Sequence, residues 1–118
     1  MATIASPQME LGWLVFFVRY YSEGIGVPIP EGLQTRDQLL ARYEELTGRT
    51  ADNIDYYEAL AALRLSMIMM RAGHMMIAAG VLPPDNPIPV SNPASQVLAR
   101  LLDVPAPAGE VVNFVGKR

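Results

Sequence analysis

The spacing of apolar and polar positions along the chain predicts about four helices and almost no strand, which is an all-α fold. The first helix is predicted from about Pro7 to Glu23, with Ser6 as its N-cap and proline at its first position. It is apolar on most sides, so most of it is expected to be buried. Gly24 and Gly26 are expected to end it, because glycine is favoured just beyond a helix.

The second predicted helix runs from about Arg36 to Thr47 and is amphipathic. Thr35 is its expected N-cap, and Gln38 completes a capping box at the third helical position. Gly48 is expected to end the helix. Its charged side chains are expected to face water, while its apolar side consists of Leu39, Leu40, Tyr43 and Leu46.

The third predicted helix starts near Asn53 and reaches Ala79, with an interruption or kink around Gly73. Without a break it would be about 40 Å long, which is long for a domain of this size. It is apolar on nearly every side, as is typical of a central helix. Yet it contains Arg64 and Arg71, and the chain looks too small to surround it.

The fourth predicted helix runs from about Pro93 to Leu102, with Asn92 as its N-cap and proline again at its first position. The segment before it, residues 81–91, is rich in proline. Because proline fixes φ and removes a backbone donor, this segment is expected to be an extended loop that packs along a surface.

The composition gives room for one domain, with 118 residues of which 51% are hydrophobic. Residues 1–102 are expected to form one helical subdomain. Residues 103–118 are expected to form a loose C-terminal tail, because they are rich in proline, glycine and alanine. Part of this tail has the pattern of a short strand or a docking segment, namely Val111, Val112, Phe114 and Val115.

Charge and cysteine content exclude several function classes. The net charge of −3 and the pI of about 5.0 argue against nucleic acid as a partner. The absence of cysteine excludes disulfide scaffolds, thiolate zinc sites and a cysteine nucleophile. No secretory signal is predicted, and Arg64, Arg71 and His74 interrupt the best candidate membrane span. A cytoplasmic protein with no membrane partner is therefore expected.

A polar stripe on the third helix is the main candidate site. Tyr57, Arg64 and Arg71 are spaced by seven residues, and Arg71 and His74 are three residues apart, so all four lie near one face. The arginines either tie this helix to a neighbour or form the wall of a pocket that faces an anion. Met67 is either core filler or part of an adaptable binding surface.

The remaining polar residues favour structural roles. Glu10 lies at the start of the first helix, where the helix dipole favours a negative charge. His74 has no histidine or cysteine companion, so no metal site is predicted. The chain contains no glycine-rich phosphate loop and no arrangement of a nucleophile with its base. From the residues alone, this is a helical protein without a visible active site.

Three segments together resemble the C-terminal part of aminoglycoside phosphotransferase-like and choline-kinase-like enzymes. The resemblance is closest to the subgroup that includes the kinase domain of acyl-CoA dehydrogenase family member 10. It covers roughly residues 1–102, and it depends on the order and spacing of three segments rather than on one motif. These are Met1-Ala-Thr-Ile-Ala-Ser-Pro-Gln-Met-Glu-Leu-Gly-Trp-Leu14, Leu39-Leu-Ala-Arg-Tyr-Glu-Glu-Leu-Thr-Gly-Arg49 and Asp55-Tyr-Tyr-Glu-Ala-Leu-Ala-Ala-Leu-Arg-Leu65.

The resemblance implies a helical fragment of the C-terminal lobe in a two-lobed, protein-kinase-like fold. Intact relatives use ATP, a catalytic-loop Asp and a magnesium-binding Asp in an Asp-Trp-Glu-like motif. The chain begins just after the place of that motif, so a fragment or truncated member without activity of its own is expected. Glu10 stands where the family has an Asp that braces the catalytic loop, and Ala5 stands where it has glycine.

In an intact relative, the third helix would help to line the acceptor pocket, with Tyr57, Arg64, Met67, Arg71 and His74 as the substrate-binding candidates. No cofactor is expected in this chain. The missing half of the lobe is expected to leave apolar surface exposed on the first and third helices. The expected partner is therefore a second copy, or the missing N-terminal part of the enzyme. The alternative is a non-enzymatic helical module for oligomerisation or for binding a ligand or protein partner.

Overall fold

The computed structural model describes residues 7–114, and all regular structure within that range is helical. The all-α prediction is confirmed. The N-cap role predicted for Ser6 and the strand residue Val115 lie outside the described range. The helices are α1 (Pro7–Arg19), a π-helical turn (Tyr20–Ile25), α2 (Arg36–Thr47), α3 (Ile54–Ala78) and α4 (Pro93–Leu102).

The ends of α2 confirm the sequence prediction. The Thr35 hydroxyl accepts a hydrogen bond from the Gln38 backbone N–H at 3.3 Å, and the Thr35 N–H donates to Gln38 Oε1 at 2.9 Å. Gly48 ends the helix in the left-handed region with φ of +64°. These reciprocal bonds satisfy donors that would otherwise lack partners at the helix start.

Helix α4 also begins with a complete capping box. Asn92 Oδ1 accepts from the Ser95 N–H at 3.0 Å, and the Asn92 N–H donates to Ser95 Oγ at 3.0 Å. Asn92 and the proline at the first position were predicted, whereas the return bond from Ser95 was not. The helix ends at Asp103, the one described non-glycine residue with a positive φ, at 53°.

The end of the first helix differs from the prediction. The α-helix stops at Arg19 and continues as a π-helical turn through Ile25 before Gly26 ends it with φ of +82°. The Ser22 hydroxyl donates to the Val18 carbonyl at 2.7 Å, which is the acceptor that an α-helical Ser22 N–H would use. The Ser66 hydroxyl makes the same bond to the Ala62 carbonyl within α3, which stays α-helical, so this bond does not explain the change to π geometry.

The chain divides into two compact units, one up to Ala61 and the other from Ala62. In the first unit, α1 and α3 approach closely at Gly12. A Cβ on this glycine would stand 2.7 Å from Tyr57 Cβ and 2.8 Å from the Tyr57 carbonyl carbon. The core around this approach consists of Leu11, Val15, Ala51 and Ile54, with Leu39, Leu40 and Tyr43 of α2 packed against it.

In the second unit, the break predicted near Gly73 is absent, and α3 is helical throughout. Gly73 is buried because the following loop packs directly on it. A Cβ there would stand 2.9 Å from Pro89 Cγ and 3.0 Å from Ile88 Cγ2. The glycine therefore permits a close contact between the helix and this loop.

The proline-rich segment forms turns, so the predicted extended conformation is wrong. The Asn86 N–H donates to the Pro83 carbonyl at 3.1 Å, and the Val90 N–H donates to the Pro87 carbonyl at 2.9 Å. Proline fixes its own φ near the value that the first inner position of such turns requires. The first turn has Pro84 at this position, whereas the second has Ile88 there and Pro89 at the next position.

The tail has no regular structure between residues 104 and 114, but it makes two defined contacts in the second unit. The Val112 N–H donates to the Ser91 carbonyl at 3.1 Å. Gln96 Nε2 donates to the Pro107 carbonyl at 3.1 Å. These bonds tie the described part of the tail to the loop before α4 and to α4 itself.

By length and composition alone, α3 is one helix among the described residues that could cross a membrane. Helices in the core of soluble proteins have the same two properties, so this is weak support for a membrane role. The prediction of no membrane partner stays a prediction.

Candidate functional site

The candidate residues from the sequence all lie on α3, but they do not share one environment. Tyr57 is half-buried in the first unit, where its main chain faces Gly12 of α1. Its ring makes an edge contact with the Tyr56 ring at 5.2 Å between centroids. Tyr57 therefore has a packing role that the sequence did not indicate.

The three basic candidates belong to the second unit and are exposed. Arg64, Arg71 and His74 occupy neighbouring positions on one face of α3 because of their seven- and three-residue spacing. Exposed guanidinium groups keep their hydration, so they do not need a buried acidic partner for stability. Exposure of this kind suits both an open wall of a site and a solvated surface. It therefore does not decide whether the arginines face an anion or tie α3 to a neighbouring element.

Met67 lines a shallow pocket of about 240 Å³ in the second unit. Arg64, Arg71 and His74 do not line it. Its polar side chains already have partners: Ser66 Oγ donates to the Ala62 carbonyl at 2.8 Å, while Asn92 and Ser95 cap α4. The lining residues are Ser66, Met67, Met70, Pro89, Val90, Asn92 and Ser95.

Sequence analysis missed a buried ionic network centred on Glu58. The Glu58 side chain is 1% exposed, and both of its oxygens accept from arginines. Arg19 Nε of α1 donates to Oε1 at 2.8 Å, and Arg36 of α2 donates to Oε2 from Nε at 3.2 Å and from Nη2 at 3.1 Å. One carboxylate on α3 thus links the side chains of three helices.

Two further carboxylates complete this network. Arg36 Nη2 also donates to Asp55 Oδ1 at 2.7 Å, and Arg19 Nη1 lies 3.6 Å from Glu23 Oε2. Two guanidinium groups therefore face three carboxylates. Because the acids exceed the cations, the network offers no surplus positive charge for a phosphate or another anion, and its geometry favours a structural role.

A signal for this network was present in the sequence. Glu58 shares a helical face with Ile54, Ala61 and Ala62, all of which are buried. A carboxylate on the buried face of an apolar helix requires a cation, because an unpaired buried charge is costly. The sequence does not tell which of the nine Lys and Arg residues supplies it.

The described residues contain no group of three or more His, Asp or Glu side chains that could hold a metal ion. Glu10 lies in the first turn of α1 and is exposed, consistent with a helix-terminus charge. Burial raises the pKa of the Tyr20 phenol above its ordinary value, and the neighbouring Tyr21 adds to the rise. A tyrosine in this setting stays neutral at physiological pH.

Comparison with known proteins gives no family assignment. No family model matches the chain, no curated protein matches it, and no solved structure matches it.

Proposed function

We propose that the chain is the C-terminal helical part of the larger lobe of a small-molecule phosphotransferase, and that it does not transfer phosphate by itself. The observation that supports this most is the contact between two of the three segments that resemble the family. Gly12, from the Leu-Gly-Trp segment, packs against Tyr57, from the Asp-Tyr-Tyr segment. Two segments that resemble one family thus meet through a contact that requires glycine.

The third segment adds support through its helix ends. In α2, the capping box of Thr35 and the left-handed Gly48 define an amphipathic helix with the Thr-Gly ending of the family segment. No residue of α2 is fully buried, and its apolar side packs against the core cluster of the first unit. This is the behaviour of a peripheral helix that covers two central ones.

In this proposal, the exposed polar face of α3 belongs to the acceptor side of an intact enzyme. Arg64, Arg71 and His74 would bind polar groups of the acceptor, while Met67 and Tyr57 would shape the site. ATP and magnesium would be bound by parts of the enzyme outside this sequence. Glu58 would hold the three helices in register rather than take part in the chemistry.

A second candidate function is a helical module that associates with itself. The observation that favours it is the apolar surface on α3, where five large side chains are between 44% and 62% exposed. Exposed apolar surface promotes association where it is contiguous. The five are Leu63, Met67, Ile68, Met70 and Met75.

The coding DNA directly upstream of Met1 tests the first proposal. We expect an in-frame Asp-Trp-Glu-like motif just before Met1, preceded by a His-x-Asp catalytic loop. A long in-frame upstream sequence without either motif would contradict a phosphotransferase origin. Phosphotransfer from ATP by the purified chain alone, free of contaminating kinase, would contradict the claim that it is inactive by itself.

Light scattering at micromolar concentration tests the second candidate. A stable dimer that Met67→Glu and Ile68→Glu convert to a monomer would support self-association through α3. A monomer at all concentrations would exclude it. Leu46→Glu is the matched control, because Leu46 is 68% exposed and belongs to α2 rather than to α3.

A further inference from the structure

An apolar groove lies in the first unit between α1, its π-helical turn and the loop that follows. It encloses about 320 Å³, which is within the range of about 300–1,000 Å³ typical of small-molecule sites. Helix α1 and the π-helical turn form one wall with Leu14, Phe17, Val18, Tyr21 and Ser22. The loop forms the other wall with Val27, Pro28, Ile29, Pro30 and Leu33.

Main-chain bonds hold the two walls in place. The Val27 N–H donates to the Tyr21 carbonyl at 2.8 Å, which fastens the start of the loop to the π-helical turn. Further along, the Leu33 N–H donates to the Pro30 carbonyl at 3.1 Å. Pro28 and Pro30 restrict the loop further, because proline fixes φ. The groove is therefore formed before any ligand arrives.

The lining offers a ligand almost no polar partner. Tyr21 and Ser22 are the two lining residues with a polar side chain, and in both the polar group is a hydroxyl. The Ser22 hydroxyl already donates to the Val18 carbonyl at 2.7 Å. A ligand bound in the groove contacts hydrocarbon and aromatic surface. A charged group on the ligand would have no partner among the lining side chains.

The charges around the groove discriminate against anions. Glu10 lies one turn before Leu14 on the same face of α1, and Glu31 lies between two lining residues of the loop. Both carboxylates are exposed. The cation on α1, Arg19, and the one at the start of α2, Arg36, are both bound to Glu58. A carboxylate or sulfonate on the ligand would therefore meet negative charge.

We propose that this groove binds an uncharged, largely hydrocarbon small molecule with an alkyl or aromatic body. The preformed apolar walls recognise the body, and the carboxylates next to them exclude anionic relatives of the same size. This function is separate from phosphotransfer and needs neither ATP nor the α3 candidates. It holds whether or not the chain belongs to a kinase-like enzyme.

Titration of the full chain with the neutral dye N-phenylnaphthylamine tests the proposal. We expect a saturable rise in fluorescence with one dye bound per chain. Leu14→Gln and Ile29→Gln should each weaken binding about tenfold, since each replaces apolar lining with an amide. Leu46→Gln should change it less than about twofold, because Leu46 is an exposed apolar residue of the same unit that does not line the groove.

A second dye tests the charge argument. The anionic dye anilinonaphthalene sulfonate should bind at least about tenfold more weakly than the neutral dye, and Glu10→Gln with Glu31→Gln should narrow that difference. Circular dichroism establishes that each variant is folded before its binding is compared.

Three outcomes would overturn the proposal. Neutral-dye binding could be equally tight in the groove variants and in Leu46→Gln, or the sulfonate could bind as tightly as the neutral dye. The third is a dimer of the unaltered chain that Leu14→Gln converts to a monomer, because a second copy would then occupy the groove.

Discussion

Polar residues in two parts of the same helix have opposite surroundings. Glu58, in the first part of α3, is buried, and each of its oxygens is bound by an arginine from another helix. Arg71 and His74, further along, are exposed. All three residues belong to one continuous helix, so the element that carries a charge does not set its environment. The elements that pack against each part decide whether a charge is a structural link or is open to solvent and ligand.

Removal of Glu58 should have the largest effect on stability. Glu58→Ala leaves two partly buried guanidinium groups without their shared carboxylate, and we expect a loss of about 3 kcal/mol in the free energy of unfolding. Urea denaturation followed by circular dichroism measures it. Glu45→Ala is the control, since Glu45 is 70% exposed and pairs with Arg42 at the surface. Equal losses of stability for Glu58→Ala and Glu45→Ala would show that the buried carboxylate contributes no more than an exposed one.

The two buried glycines should differ in the cost of an added methyl group. Gly12→Ala places Cβ against the backbone of Tyr57, which cannot move without separating α1 and α3. We expect it to cost about 2 kcal/mol, after the gain in helix propensity. Gly73→Ala meets Pro89 Cγ at 2.9 Å and Ile88 Cγ2 at 3.0 Å, which are longer distances than those at Gly12 and involve a loop rather than a second helix, so a smaller loss of about 1 kcal/mol is expected.

Urea denaturation of both glycine variants measures this difference. A larger loss for Gly73→Ala than for Gly12→Ala would show that the loop contact in the second unit, rather than the helix approach in the first, is the tighter constraint.

Alkaline pH should weaken the first unit through Tyr20. Its pKa is raised in the folded state by burial, so the unfolded chain releases this proton first. The stability that the neutral phenol contributes is present below its ordinary pKa of about 10 and is lost as pH rises through the folded value.

Tyr20→Phe should therefore show a shallower fall in melting temperature than the unaltered protein between about pH 9 and pH 11. Tyr56→Phe is the control, because Tyr56 is 65% exposed. Parallel pH profiles for the unaltered chain and Tyr20→Phe would contradict a folded-state shift at Tyr20.

The smallest effect is expected for the exposed basic residues. Arg71→Ala and His74→Ala should each change the free energy of unfolding by less than about 0.5 kcal/mol, since both side chains are exposed. The same denaturation experiment measures this. A loss comparable to that of Glu58→Ala would mean that these residues are structural links as well, and it would weaken their assignment to an acceptor site.

The parts of the fold that local chemistry determines were predictable. Thr35, Gln38 and Gly48 set the ends of α2 through bonds within a few residues, and Asn92 does the same for α4. The role of Gly73 was not predictable, because it depends on a loop that returns to α3 fifteen residues later in the chain. Local propensity favours an interruption at glycine, but the helix continues through Gly73, and the loop packs against it there.

The candidate site was likewise predictable only where spacing within one helix determines it. Helical spacing placed Arg64, Arg71 and His74 on one face, and the structure has them there. The partners of Glu58 come from α1 and from the first residue of α2, at sequence separations of 39 and 22 residues. Spacing within one helix contains no information about such partners. The need for a cation near Glu58 could have been predicted, but its identity could not.

The π-helical turn has a consequence for how this chain tolerates insertions and deletions. A π turn accommodates one more residue than an α-helix over the same length, so it behaves as a one-residue insertion. Deletion of one residue within Tyr20–Ile25 could be absorbed by a return to α geometry without breaking α1. The residues after the turn would then keep their orientation relative to α1, because the π turn contains the extra residue that is removed. The groove wall at Val27 and Ile29 should survive such a deletion, whereas a one-residue deletion within α1 has no extra residue to give up and would turn that wall by about 100°.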